Sequence, residues 1–307
     1  MIDLKTNKTL ITIVGPTAIG KTALAIALAN HYKTEIISAD SRQFFREMSI
    51  GTAKPDQQEL AAAPHHFINS QSITQEVSVG SFEKEAINKI DQLFLKHDVL
   101  IMAGGSGLYV NAVLYGFDEI PKADENIREN LNQQFKQAGI KPLQHQLKEL
   151  DPDYYHQVDT NNPQRVIRAL EVCLSTGKPF SSFRNAPIKQ RNFNTIIIGL
   201  DSHRETLYQR INHRVDLMIN KGLLREVESL KEYQHLNALK TVGYSEIFNY
   251  LNGEWTLAQA IDKIKQNTRN FAKRQLTWFR RNKDVVWFKP DEEEKILSFI
   301  KEKIYKT

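Results

Sequence analysis

Cysteine is nearly absent from the 307-residue sequence, in which Cys173 is the single example. One cysteine cannot form a disulfide bond within the chain, and it excludes a zinc site built from several cysteine ligands. Long hydrophobic runs are also missing. The first apolar stretch covers residues 10–14, far short of the roughly 18 residues that a membrane-spanning helix needs, and too short for the core of a signal peptide. We therefore expect a cytoplasmic protein.

The composition is that of a globular protein with one unusual charged segment. Hydrophobic residues make up 41% of the chain and charged residues 25%, with a mean hydropathy of −0.45, which excludes disordered and collagen-like chains. The net charge is +5, but residues 262–289 alone hold nine Lys and Arg against two Asp. A nearly neutral body with one basic segment indicates a local surface for a polyanion.

The first half of the chain alternates between strand and helix patterns. Short β-rich runs at residues 9–14, 35–38 and 99–102 alternate with helical patterns at 21–30 and 81–97. This order predicts an α/β fold with a parallel sheet, whose ligands bind at the carboxyl ends of the strands.

The alternation stops between residues 117 and 194, where the chain is polar and mostly helical in pattern. Strand patterns return at residues 195–200 and 285–288. Together with the phosphate-loop motif at residues 15–22 (GPTAIGKT), this order predicts a P-loop NTPase-like parallel sheet core flanked by helices (residues 1–117 and 195–307) and a mainly helical insertion domain (118–194).

Residues 15–22 read GPTAIGKT and match the phosphate-loop pattern G-x-x-x-x-G-K-[ST] between a predicted strand and a predicted helix. In such a loop the backbone N–H groups surround a phosphate chain, the lysine neutralises it and the threonine hydroxyl reaches Mg²⁺. The predicted phosphate-binding residues are Gly15, Pro16, Thr17, Ala18, Ile19, Gly20, Lys21 and Thr22.

The loop by itself does not indicate a nucleoside triphosphate. ATPases and GTPases hold Mg²⁺ partly through an acidic residue after a hydrophobic strand, whereas residues 99–102 run into a glycine-rich segment without a carboxylate. The nearest carboxylate after a predicted strand is Asp40. It suits a general base or a support for a metal shell, or it caps the next helix; local sequence leaves these alternatives open.

Eight motifs in order along the chain resemble those of the bacterial tRNA dimethylallyltransferase (MiaA) family. They are residues 15–22 (GPTAIGKT), 38–43 (SADSRQ), 51–55 (GTAKP), 65–67 (HHF), 104–109 (GGSGLY), 163–171 (PQRVIRALE), 242–244 (VGY) and 273–279 (KRQLTWF). A phosphate loop alone is generic, but the ordered series is specific and covers nearly the whole chain.

The resemblance implies transfer of a dimethylallyl group from dimethylallyl diphosphate to N6 of the adenosine at tRNA position 37, with the phosphate loop holding the diphosphate. It implies that Asp40 is the general base. Lys21, Mg²⁺ held by Thr22, and an arginine from outside the loop would then stabilise the departing diphosphate. Arg214 is the candidate for that arginine and Arg210 the second choice, with an ordinary surface charge on a helix as the alternative for either.

The resemblance also implies a set of tRNA-binding residues. They are Asp40, Ser41, Arg42, Gln43, Ser106, Arg128, Gln164, Arg165, Val166, Ile167, Arg168, Lys240, Thr241, Val242, Gly243, Tyr244, Ser245, Lys273, Arg274, Gln275, Leu276, Thr277, Trp278, Phe279 and Arg280.

The C-terminal segment supports RNA binding independently, because its pattern is amphipathic. At about 100° per residue, one arc of a helix holds Ile261, Ile264, Phe271, Ala272, Trp278 and Phe279, and another holds Lys265, Arg269, Lys273 and Arg280. We expect the first arc to pack on the core and the basic arc to bind phosphates, so that binding weakens with salt.

Three positions depart from the family pattern: Ile19 replaces a small serine, Ser106 a threonine and Asn162 an aspartate. The tandem His65 and His66 are expected to be structural, and Cys173 to be a small core residue. The competing hypotheses are an adenylate isopentenyltransferase acting on a free nucleotide, a P-loop small-molecule kinase and a non-catalytic RNA-binding module. We expect a monomer without an obligate protein partner.

Overall fold

The computed structural model describes residues 7–184 and 188–305. The chain divides into two compact units, one taking in the chain up to Tyr115 and from Gln190 onward, and the other spanning Gly116–Lys189. Each unit is described separately below.

The first unit is built on a parallel sheet. Within the described residues it has six strands: β1 (Thr9–Val14), β2 (Ile36–Ser38), β3 (His65–His66), β4 (Val99–Ala103), β5 (Asn194–Leu200) and β6 (Val285–Phe288). Their order across the sheet is β3-β2-β4-β1-β5-β6, and every pairing is parallel. The predicted α/β class is confirmed.

Helices cover the sheet and form the second unit. Those of the first unit are α1 (Lys21–Tyr32), α2 (Gln57–Ala62), α3 (Val79–Phe94), α4 (Gly107–Tyr115), α9 (Arg204–Asn220), α10 (Leu223–Ser229), α11 (Tyr244–Leu251), α12 (Leu257–Phe279) and α13 (Glu293–Tyr305). Those of the second unit are α5 (Glu125–Ala138), α6 (Lys141–Leu150), α7 (Pro152–Gln157) and α8 (Pro163–Thr176). None of the helices in the described ranges is both long and apolar enough to cross a membrane.

The central strands are mainly apolar because helices cover both faces of the sheet. All residues of β1 are buried, and its Ile11 is in register with Ile101 of β4 and Ile196 of β5. Strands β1 and β6 begin and end at the predicted residues, 9–14 and 285–288. The two-residue strand β3 was not predicted, since two residues are too few to show a period.

Helix α12 crosses three separate apolar clusters along its 23 residues. Ile264 packs with α10 and α11, Ala272 with α1 and α9, and Phe279 with α3 and α4. Phe271 belongs to none of these clusters and is 39% exposed. The expectation that Phe271 packs on the core is therefore wrong: it lies where the helix passes from one cluster to the next.

The second unit has its own core, formed mainly by side chains of α6 and α8. Leu143, Leu147, Val166 and Leu170 are completely buried there. The buried Asp151 begins α7 by accepting the Tyr154 N–H at 3.0 Å, and it also accepts the Ser181 N–H and hydroxyl. Cys173 is buried in the same core, as predicted.

Candidate active site

The carboxyl ends of β2, β4 and β1 lie side by side, because these strands are neighbours in the sheet. The chain leaves β1 into the phosphate loop, β2 into the segment that holds Asp40, and β4 into the glycine-rich segment before α4. We call this place the sheet edge. It brings together the predicted phosphate loop, the predicted general base Asp40 and the segment that holds Ser106, which was predicted to contact tRNA.

The phosphate loop is a tight turn with no room for a side chain at its first residue, Gly15. Gly15 has φ = +145°, and a Cβ at this position would lie 2.6 Å from the Leu200 carbonyl oxygen. Ala18 is also left-handed, with φ = 64°. The loop then enters α1 directly, and the N–H groups of a helix N-terminus attract anions.

Lys21 bends back over the loop. Its ammonium group donates to the carbonyl oxygens of Gly15, at 3.0 Å, and Pro16, at 2.8 Å. Burial lowers the pKa of Lys21 to about 8, although the neighbouring Asp40 raises it; the Arg214 charge lowers it further. A lysine in this setting is poised to gain an anionic partner.

Asp40 lies two residues beyond β2 and is half-buried. Its Oδ1 accepts the Arg42 N–H at 3.0 Å, which forms a local turn. It does not cap a helix, because the next helix α2 begins at Gln57 and is capped by Asp56. The capping alternative is therefore excluded, and a carboxylate remains at the sheet edge beside Lys21.

Ser106 ties the segment after β4 to the segment after β2. Its hydroxyl accepts the Ser41 N–H at 2.9 Å and donates to the Ser41 hydroxyl at 3.1 Å. This contact sets the position of the residue next to Asp40. Ser106 itself is half-buried.

Two arginines of α9 reach the phosphate loop. Arg214 Nη1 lies 3.5 Å from the Thr17 hydroxyl, and Arg210 Nη1 lies 3.4 Å from the Ile19 carbonyl oxygen. Arg214 is half-buried, and burial lowers its pKa, whereas Arg210 is exposed. Arg214 is thus the more enclosed cation of the two.

Helix α12 approaches the same loop with a buried face and leaves a basic face exposed. Lys273, Arg274, Thr277 and Arg280 are exposed. Gln275 and Phe279 are buried, and Gln275 bonds to the phosphate loop and to Gly105. Both of these side chains lie on the core side of the helix, and their contact with tRNA stays a prediction; Leu276 and Trp278 are half-buried.

The predicted tRNA-binding residues after Asp40 take part in bonds within the protein. The Arg42 guanidinium donates to the Asn237 carbonyl oxygen at 3.1 Å. The Gln43 amide donates to the carbonyl oxygens of Thr52 and Ala53, both at 3.2 Å. These bonds hold the segment between β2 and α2 in one conformation.

The predicted tRNA-binding segment 240–245 contains both exposed and buried residues. Lys240 and Ser245 are exposed, and Thr241 and Val242 are half-buried. Tyr244 is completely buried and donates its hydroxyl to Glu226, so its side chain belongs to the protein core, and its contact with tRNA stays a prediction. Gly243, also buried, precedes the first residue of α11.

In the second unit, α8 presents Gln164 and Arg165 on its exposed face. Val166 and Ile167 are buried in the core of this unit, and their contact with tRNA stays a prediction. Arg168 and Arg128 both pair with the buried carboxylate of Glu171, at 2.6 and 3.4 Å. This carboxylate holds two of the predicted tRNA-binding arginines together.

His65 and His66 have protein partners that suit a structural role. The His66 ring pairs with the Glu35 carboxylate at 2.7 Å, and the His65 ring lies 2.7 Å from the Ala63 carbonyl oxygen. Both lie on β3, the outermost strand on its side of the sheet, which pairs with β2.

A phosphate loop on a parallel sheet, with a lysine, an enclosed arginine and a strand-end carboxylate around it, defines the chain as a P-loop protein. Comparison with known proteins narrows this class. The model of the family described as IPP transferase matches residues 43–282.

Relatives of the chain agree with that match. A tRNA dimethylallyltransferase of Christiangramia forsetii is 57% identical over 96% of this chain and 98% of its own length. The crystal structure of the full-length tRNA isopentenylpyrophosphate transferase of Bacillus halodurans is 38% identical, covers 97% of both chains and has a TM-score of 0.72. A eukaryotic dimethylallyltransferase, described as acting on tRNA, matches at 27% identity and a TM-score of 0.75 over 93% of this chain and 74% of its own. The chain belongs to the IPP transferase family, and the resemblance found in its motifs is confirmed.

Proposed function

We propose that the protein transfers a dimethylallyl group from dimethylallyl diphosphate to N6 of the adenosine at tRNA position 37, giving N6-dimethylallyladenosine and diphosphate. The observation that carries the proposal is the sheet edge of an IPP transferase chain, where the phosphate loop, Lys21, Arg214 and Asp40 converge. A phosphate-binding loop beside a carboxylate suits a reaction in which one substrate loses diphosphate and the other loses a proton.

The transfer is a substitution at carbon. The N6 nitrogen of adenine forms a bond to C1 of the dimethylallyl group, while the bond from C1 to the diphosphate oxygen breaks and its electron pair leaves with diphosphate. An exocyclic amine is a weak nucleophile and must lose a proton as the bond forms. The half-buried Asp40 carboxylate accepts that proton.

Departure of diphosphate requires positive charge near the leaving oxygen. Lys21 supplies one charge from within the loop, and Arg214 supplies a second from α9. In the free protein the Lys21 ammonium bonds to two loop carbonyl oxygens. A bound diphosphate replaces these neutral partners with anionic ones, which favours the protonated lysine.

Mg²⁺ is the metal that suits this donor set. The side chains at the sheet edge include the Thr22 hydroxyl and the Asp40 carboxylate, both hard oxygen donors. Mg²⁺ commonly takes only one or two protein ligands beside substrate phosphates. Thr22 together with the diphosphate oxygens would hold the ion. When bound, Mg²⁺ supplies additional neutralisation of the diphosphate charge.

The tRNA substrate is supported by the basic face of α12, where Lys273, Arg274 and Arg280 are exposed within one helical segment. Such a row suits contact with successive phosphates. To react, the target adenosine must leave its stack and enter the sheet edge. Action on tRNA fits the cytoplasmic location expected from the sequence.

An assay of donor and acceptor tests the proposal. Purified protein is incubated with Mg²⁺, labelled dimethylallyl diphosphate and, in parallel, unmodified tRNA or AMP, and the nucleosides of the product are analysed. We expect label in tRNA as N6-dimethylallyladenosine. Label on AMP alone would instead identify an adenylate isopentenyltransferase, and tight ATP binding without transfer of label would favour a kinase.

A further inference from the structure

We propose that Gln275, although it lies within the basic tRNA-binding segment of α12, is a positioning residue for the phosphate loop, and that it governs affinity for the prenyl diphosphate rather than for tRNA. The inference rests on the proposed function in taking the phosphate loop as the donor site.

The Gln275 amide joins two segments of the sheet edge. Its Oε1 accepts the Thr17 N–H at 2.9 Å, and its Nε2 donates to the Gly105 carbonyl oxygen at 2.9 Å. Thr17 lies within the phosphate loop, and Gly105 lies between β4 and α4. One side chain therefore sets the spacing between the loop and the neighbouring strand end.

The position of the amide separates it from any RNA surface. Gln275 is 6% exposed, whereas Lys273, Arg274 and Thr277 on the same helix are exposed. A Cβ on Gly105 would lie 2.3 Å from the Gln275 Nε2, so the absence of a side chain there allows the amide to approach. The two faces of α12 thus act on different substrates.

The bond to Thr17 explains the effect expected on the donor. Arg214 approaches the hydroxyl of the same threonine at 3.5 Å, so the orientation of Thr17 also affects the arginine that faces the diphosphate. Holding the loop in its binding conformation before the donor arrives reduces the ordering required on binding. Without the amide, the Thr17 N–H and the Gly105 carbonyl group lose their partner, which costs more than the net contribution of the two hydrogen bonds.

The test replaces the amide without changing the size of the side chain. For Gln275→Met we expect the Kd for dimethylallyl diphosphate in the presence of Mg²⁺, measured by calorimetry, to rise about ten-fold. The Kd for unmodified tRNA should stay within about two-fold of the wild-type value, since no exposed contact is lost. Lys273→Gln is the matched control on the exposed face and should show the reverse pattern, with weaker tRNA binding and unchanged donor binding.

A second variant covers the case in which Gln275→Met fails to fold. Gln275→Glu still accepts the Thr17 N–H but cannot donate to Gly105, and its charge repels the diphosphate, so its loss of donor affinity should exceed ten-fold. Donor affinity equal to that of the wild type in a folded variant, or equal weakening of donor and tRNA, would overturn the inference. Wild-type binding of dimethylallyl diphosphate against ATP tests the proposed function separately. If the wild type binds only ATP, the proposed function fails, and the role of Gln275 is then tested by comparing the Kd for ATP of the wild type with that of the Gln275 variants.

Discussion

The Tyr244 hydroxyl donates to the Glu226 carboxylate at 2.6 Å, and the same carboxylate accepts three successive backbone N–H groups of Ser49, Ile50 and Gly51 at 2.7 to 3.0 Å. Burial and the adjacent carboxylate raise the pKa of Tyr244 far above its ordinary value, so the phenol remains a donor. This carboxylate fastens the segment between Asp40 and α2 to helices α10 and α11.

Replacing Glu226 should therefore destabilise the protein more than replacing Tyr244. Glu226→Ala removes four hydrogen bonds to an ionised acceptor, and we expect the free energy of unfolding to fall by about 2–4 kcal/mol. Tyr244→Phe removes one of them and should lower it by about 1–2 kcal/mol. Denaturant unfolding of both variants measures the difference. Equal stability of Glu226→Ala and the wild type would show that the carboxylate does not hold this segment.

Donor affinity should fall in alkaline solution because Lys21 loses its proton early. The pKa of Lys21 in the free protein is lowered to about 8 by burial, so the ammonium that faces the diphosphate disappears as the pH rises through 8. We expect kcat/KM for the donor to decline above that pH. Lys21→Arg retains its charge and should remove this limb of the pH profile; a profile unchanged in the variant would contradict the assignment.

Lys21 affects donor affinity and folding in opposite directions: as the pH rises, donor affinity should fall and the contribution of Lys21 to the free energy of unfolding should increase. The unfolded chain holds Lys21 at its ordinary pKa of 10.5, against about 8 in the folded protein. Between these values the unfolded state binds more protons, so the contribution of Lys21 to the free energy of unfolding increases with pH. Unfolding free energies of the wild type relative to Lys21→Met, measured across this range, should rise, and a difference independent of pH would contradict the shift.

The two arginines of α9 should differ in their effect on transfer. Arg214 is half-buried against the Thr17 hydroxyl, whereas Arg210 is exposed. Arg214→Gln should reduce kcat/KM for the donor by about 100-fold, the scale of losing one donor that stabilises a leaving group, and Arg210→Gln by less than about ten-fold. A larger effect at Arg210 would reverse the assignment.

Salt dependence should report the exposed face of α12. Lys273→Ala and Arg274→Ala should each weaken tRNA binding and reduce the slope of log K against log salt by about one. Lys301→Ala, an exposed lysine on α13, is the matched control and should leave the slope unchanged. If Lys273→Ala and Arg274→Ala both keep the slope of the wild type, as the control does, α12 does not belong to the tRNA interface.

The parts of the site that the sequence predicted are local in the chain. The phosphate loop is a continuous motif, and Asp40 follows a strand pattern directly, so both follow from spacing and from the rule for strand ends. Gln275 and Glu226 were not predicted in their observed contacts, because their partners lie 258 and 175 to 177 residues away. Helical periodicity placed Phe271 on the buried arc, but periodicity cannot show where one apolar cluster ends and the next begins.

The most direct measurement of the central claim compares the wild type with Asp40→Asn in single-turnover transfer of labelled dimethylallyl groups to tRNA. An asparagine oxygen can still accept the Arg42 N–H, so the turn after β2 is retained while the base is lost. We expect label at the adenosine next to the anticodon with the wild type, and transfer slowed by about 100-fold or more in the variant with both substrates still bound. Transfer at the wild-type rate by Asp40→Asn, or label absent from tRNA with the wild type, would contradict the account.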